Sequence, residues 1–152
     1  MAITTSAICN VFKTDVLKGV HDFSNPGGNS FKLSMYTSRA TLGKSTTSFT
    51  SDNQVSSPSG YTSGGKALVT VTPTLSTDTA VVDFADLTFV GVTLTARGAL
   101  IYNDTASGDP AVAVLDFGGD KTATSGTFTI QFPTANASDA IIRIAYLQEI
   151  SL

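Results

Sequence analysis

One cysteine, one histidine, one glutamate and no tryptophan occur in these 152 residues. Each scarcity closes a route. Cys9 has no partner for an internal disulfide. A structural zinc site needs several Cys or His ligands, and Cys9 and His21 are all there are. A Ser–His–Asp triad would have to use His21, and no G-x-S-x-G elbow is present. Cys9 reads as a small buried hydrophobe, since no base or cation is identifiable beside it. His21 follows a predicted helix end, where a cation is mildly favourable.

Charge is thin as well. Charged residues make up 14% of the chain and the net charge is −3. The nine Lys and Arg are scattered, with no basic run. A nucleic-acid partner or a membrane-surface helix is therefore not expected. No apolar run approaches the roughly 18 residues of a spanning helix. The opening MAITTSAICNVFKTDVLKG carries neither the basic start nor the apolar block of a secretory signal. The expectation is a protein made and folded in a cytoplasm.

What the chain has instead is hydroxyls. Ser and Thr together supply about a quarter of the residues, well above ordinary usage. Threonine suits a half-exposed pleated sheet, because its branched Cβ favours extended backbone. Such a surface, poor in charge, suits a protein that lives in a packed assembly.

The length fits one domain spanning 1–152. A helix is predicted over about 4–18, capped by Thr4, Thr5 or Ser6 and stopped at Gly19. Ile8, Val11, Phe12 and Val16 share its apolar face. FKLSMYT, residues 31–37, alternates strictly and predicts a half-buried strand, with Phe31, Leu33 and Met35 on one side. A long polar loop covers about 38–66, interrupted by Leu42, Phe49, Val55 and Tyr61. It reads either as an excursion that touches a neighbouring subunit or as a surface loop pinned by those four residues. The β-rich body runs over about 67–148. Strands are predicted at 67–71, 80–84, 87–90, 93–102, 111–117, 127–132 and 141–147, with loops NDTASGDP and GGDKTATSG between them. Connections this short favour antiparallel pairing. The fold class is mainly β, an antiparallel β-sandwich or barrel-like domain with one N-terminal α-helix.

The acidic residues offer little chemistry. Asp104, Asp109, Asp116 and Asp120 cluster in sequence, but their spacing is not that of an EF-hand, and Asp is common in turns. Asp83 and Asp86 flank a turn and more simply shape it than act as paired carboxylates. Gly118-Gly119-Asp120-Lys121 lacks the spacing of a phosphate loop and leads into a strand. Ser57-Pro58-Ser59-Gly60 is a turn. Asn103-Asp104-Thr105 and Asn136-Ala137-Ser138 are glycosylation sequons only if the chain is secreted. No catalytic residue, metal or cofactor is expected, and the chain does not read as an enzyme.

Several segments together resemble a family of small structural proteins from tailed bacteriophages. They are HDF, FKLSMYTSRATLG, GYTSGGKAL, VVDFADLTF, AVAVLDFGGDKTATSGTFTIQFP and AIIRIA. The likeness covers nearly the whole chain. Its most specific pieces are Thr95-Ala96-Arg97-Gly98-Ala99 and Leu115-Asp116-Phe117-Gly118-Gly119-Asp120-Lys121. The resemblance implies a virion component, assembled in the host cytoplasm. On it rests the expected function: a capsid cement or decoration protein, a homotrimer that binds the phage major capsid protein and stabilises the shell. The alternative is a tail or neck component, such as an adaptor or a fibre-associated protein with a glycan-binding rim. Candidate interface residues are Ile8, Val11, Phe12 and Val16 on the helix, which either dock on a partner or cover one end of the sandwich. Phe49 and Tyr61 are the loop aromatics that a glycan site would use. Arg97, inside an apolar strand, wants a carboxylate from Asp83, Asp86 or Asp116.

Overall fold

A computed structural model describes residues 3–56 and 60–145. The elements in chain order are β1 (Ala7–Ile8), α1 (Asn10–Leu17), β2 (Phe31–Tyr36), β3 (Lys66–Ala67), β4 (Thr70–Ser76), β5 (Thr79–Phe84), β6 (Leu87–Asn103), β7 (Ala111–Ile130) and β8 (Ile142–Ile144). They form a mainly β, sandwich-like architecture with one short helix. One sheet has five strands in the order β1-β7-β6-β2-β3, the other three in the order β4-β5-β8. All pairings are antiparallel. The expected turn at 57–60 and the end of the last expected strand fall in part outside the described residues.

The helix begins later than its periodicity predicts. Ala7 and Ile8 pair with Val114 and Ala113 of β7, so Ile8 belongs to a strand. Thr4, Thr5 and Ser6 do not cap the helix. Cys9 stands at the N-cap with no side-chain bond. Tertiary partners serve instead: the Cys9 amide donates to Val112 O (2.9 Å) and the Asn10 amide to Lys44 O (2.8 Å). These two bonds satisfy two of the four amides left free at a helix start. The stop at Gly19 is as expected, with φ +74°.

β6 and β7 make one long hairpin. The sequence suggests two strands within each of these spans, and loop chemistry at 118–126. The structure instead carries both strands through, because bulges absorb the loop-forming residues. Ala96 pairs with Lys121 and Gly98 with Asp116, which leaves residues 117–120 surplus opposite Arg97. Further register shifts fall beside Gly91 and Ser125, both at positive φ. The bulges curl the hairpin so tightly that Phe117 and Phe128 come within 5.9 Å, centroid to centroid.

The core lies between the sheets and under α1. Phe31 of β2 stacks on Phe23 at 4.3 Å, and Phe84 of β5 closes on both. Phe12 of α1 meets Phe23 edge-on at 6.0 Å. The opposite face of the five-stranded sheet is covered by the segment after β2. Phe49 packs on Tyr102 at 4.7 Å, the Tyr36 hydroxyl donates to Thr50 O (2.6 Å), and Ser48 bridges to Pro110. β2 is thus nearly all buried, not half-buried: Ser34 and Tyr36, expected to face solvent, lie beneath this loop. Gly65 ends the loop at φ +83°, where a Cβ would run into the backbone of Leu33.

Candidate interaction surface

The three-stranded sheet presents an apolar face to α1 and then continues past the helix. Ala80 pairs with Leu75 on one side and Ile144 on the other, and Val82 pairs with Ile142. Directly opposed residues share a face, and so do alternate residues of a strand. Leu75, Ala80, Val82, Ile142 and Ile144 therefore line one face. Ile142 is covered, while Leu75 is 74% and Ile144 62% exposed. Leu17, in the last helical position, is 87% exposed.

Between the helix and this sheet runs a groove of about 390 Å³, lined by Ile8, Phe12, Val16, Leu17, Val82, Ile142 and Ile144. Among the described residues β8 forms the edge of its sheet, paired with β5 alone. Lys13 stands at the rim and donates to Asn10 Oδ1 (3.1 Å). The Arg143 guanidinium is engaged elsewhere, donating to Ala137 O (3.2 Å) and Ser138 O (2.7 Å). Exposed aliphatic patches with a polar rim are a common form of protein–protein, ligand and membrane contact surface.

The sequence candidates fall into distinct places. Phe12 is buried and Val11 and Val16 are half-buried against the core, so the helix face covers one end of the sandwich. Ile8 reaches the same groove from β1, not from the helix. Tyr61 is not an exposed aromatic. It is 4% exposed, and its hydroxyl accepts from the Met35 amide (2.9 Å) and Gln54 Nε2 (2.7 Å). Burial pushes that hydroxyl above its ordinary pKa, against the two donated bonds. Phe49 is half-buried on Tyr102. The Tyr61 ring is thus covered, while Phe49 keeps part of its ring exposed.

Arg97 finds one of its three expected partners. Its Nη1 lies 2.9 Å from Asp116 Oδ1, an ion pair off the ideal hydrogen-bond line, and Nη2 donates to Ile3 O (2.9 Å). Both side chains are largely covered, so Arg97 ties the N-terminal segment to the bulge and does not reach outward. Beside it, Gly98 is small because a Cβ there would meet Ile3 and the Leu115 backbone. Asp86 accepts from the Phe132 amide (2.8 Å), which ties the β5–β6 turn to the segment after β7. Asp83 is buried and accepts from the Phe84 amide (2.8 Å); burial raises its pKa. Asp104 pairs with Lys32 at 3.0 Å. Among the described residues no three His, Cys, Asp or Glu side chains gather as a metal site would need.

No family model matches this chain, and neither a curated protein nor a solved structure does.

Leu17, Leu75 and Ile144 were not legible as surface residues. Their sequence signal is weak, since each sits in an ordinary apolar pattern. In β4, TVTPTLS alternates Val71 and Leu75 with threonines, but alternation does not say which side faces a core. A second concavity of about 520 Å³ lies inside the curl of β7, between Leu115, Phe117, Phe128 and Ile130, with Asp116, Lys121 and Gln131 at its edge. There the two phenylalanines cover each other, and no large aliphatic side chain is left bare.

Proposed function

We propose that this protein is a bacteriophage virion component, a capsid cement protein that binds the major capsid protein and its own copies at the shell surface. Two things support the reading: the motif resemblance over 95–99 and 115–121, and the exposed apolar strip of Leu17, Ile144 and Leu75. The strip is the observation that carries it. A side chain of this size gains about 1.5–3 kcal/mol when fully buried. One such contact is modest. Repeated over many copies on one shell, it becomes a strong clamp. The hydroxyl-rich, charge-poor remainder is compatible with close packing among neighbours.

The test is binding of the purified protein to assembled shells, with Leu17→Asp and Ile144→Asp as variants. Both are expected to stay folded and to lose shell binding and self-association. Retention of full binding by both would remove the groove from the interface. Copy number on virions provides the second readout. A number that scales with capsid subunits supports cement, whereas a single ring's worth assigns the protein to the neck or tail.

A further inference from the structure

We infer that His21 is a proton-sensitive latch, which holds α1 and the chain following it against the five-stranded sheet and lets go on acidification. This does not depend on what the protein binds.

Asn103, fully buried at the end of β6, fixes the donor and acceptor roles around it. Its Oδ1 accepts from two backbone amides, Thr105 (3.0 Å) and Ala106 (3.1 Å). A backbone amide can only donate, so the oxygen must stay on that side and the side-chain amide cannot flip. Its Nδ2 therefore faces the other way. It donates to Asn29 Oδ1 (2.8 Å) and lies 3.1 Å from His21 Nδ1. Asn29 Oδ1 accepts from the Asp22 amide as well (2.9 Å), which pins that partner in turn. With a donor opposite it, His21 Nδ1 must be the acceptor, and the ring proton sits on Nε2.

Protonation would place an N–H on Nδ1, pointed at the Asn103 N–H. The bond would become a donor–donor contact, and Asn103 has no free acceptor to offer. Among the described residues Nε2 has no partner either. The ring is 7% exposed and sits among Phe12 (5.0 Å), Phe31 (6.2 Å) and Phe23 (6.3 Å). These rings belong to α1, to β2 and to the connection between them, so the contacts of this one side chain join three parts of the chain to β6.

The charges around the site give a new proton little help. Asp15 on α1 is the one carboxylate that pulls the ring toward protonation, and burial outweighs it, so the pKa lies below the ordinary 6.5. Asp22 caps the Ser24 amide (2.9 Å), and Lys32 and Asp104 are paired with each other. Lys13 and Lys18 are on exposed positions of the helix. The sign follows. The group's contribution is fully present above 6.5, its unfolded value, and is lost as pH falls from there through the lower folded value.

The chain has a single histidine, so its imidazole resonance needs no assignment. The experiment follows that resonance by NMR, together with amide hydrogen exchange, from about pH 7 to about pH 5. The expected result is a titration below the ordinary value, with an Nε2–H tautomer at neutral pH. After correction for intrinsic exchange, α1 amides should lose several-fold more protection than β6 amides. A His21→Phe variant should keep the aromatic packing and lose this pH response. The inference is overturned if the imidazole titrates at its ordinary value, or if α1 and β6 lose protection in step. It is equally overturned if His21→Phe responds to acid as the parent does. Should that variant not fold, the two measurements on the parent chain decide alone.

Discussion

The two ends of the β6–β7 hairpin are made of the same strands and live in different surroundings. Near the turn, Ala99, Leu100, Ile101 and Tyr102 are all buried, as are Ala111, Val112, Ala113 and Val114 opposite them. Both faces are covered there, one by the core and one by the loop that follows β2. At the far end burial alternates. Leu87, Phe89, Val92, Leu94 and Ala96 point inward, while Val90, Thr93 and Thr95 are exposed. Hydroxyl pairs occupy the outer face, Thr95 with Thr122 at 2.8 Å and Thr88 with Thr129 at 3.2 Å. A strand covered on both sides reads as a continuous apolar run, and one covered on a single side reads as alternation. Seven threonines, at 88, 93, 95, 122, 124, 127 and 129, lie on this open half of the hairpin.

A pair of matched truncations separates the two ends. Leu100→Ala, at the doubly covered end, is expected to cost about 4–5 kcal/mol in denaturant unfolding. Leu94→Ala, at the open end, should cost about 2–3 kcal/mol, because its surroundings can relax toward solvent. Equal losses would mean that the two ends are packed alike. Next comes the joint between the ends. Arg97→Met leaves the largely covered Asp116 carboxylate without its cation and should cost about 1–3 kcal/mol. It should also loosen the N-terminal segment, read as faster proteolysis near Ile3.

A third prediction concerns the loop face alone. Burial pushes the Tyr36 hydroxyl to about 12, partly offset by its bonds to Ser34 and Thr50. The protonated form is favoured in the folded state. Its contribution is complete below the unfolded value of 10.0 and is lost as pH rises through about 12. Alkaline titration followed by tyrosinate absorbance should therefore show a late, cooperative step, and a smooth rise at the ordinary value would contradict the covered face. The smallest effect is expected at the open surface. Thr95→Val should change stability by no more than about 0.5 kcal/mol, as should Leu17→Asp.

Much of the architecture was readable in advance. The alternation of 31–37 located β2, the apolar run at 80–84 located β5, and short connections implied antiparallel sheets. The misreadings share one cause. At 118–126, glycines and polar residues look like a loop, yet a paired strand opposite them turns the same residues into bulges. At the N-terminus, Ile8 fits a helical stripe, yet β7 offers its edge and claims Ile8 as a strand. Tyr61 and Phe49 sit in a polar stretch that local rules send to the surface. Tyr61 is buried and Phe49 half-buried because the loop folds back and the Met35 amide and the Tyr102 ring meet them. His21 was expected to serve a helix end as a cation and proves to be a buried acceptor instead.

What the amino-acid order settles by local physics is the fold class: the period of its apolar residues, the absence of long helical stripes, and the glycine that ends α1. It also names Arg97 as a residue in need of a carboxylate. It does not select Asp116 over Asp83 and Asp86, nor leave Leu17, Leu75 and Ile144 bare together, nor aim Asn103 at His21. Those outcomes depend on which strand lies beside which, over separations such as the 82 positions between His21 and Asn103. Local propensity acts over a few residues, whereas hydrogen-bond partners and buried faces are assigned only when distant segments close on one core.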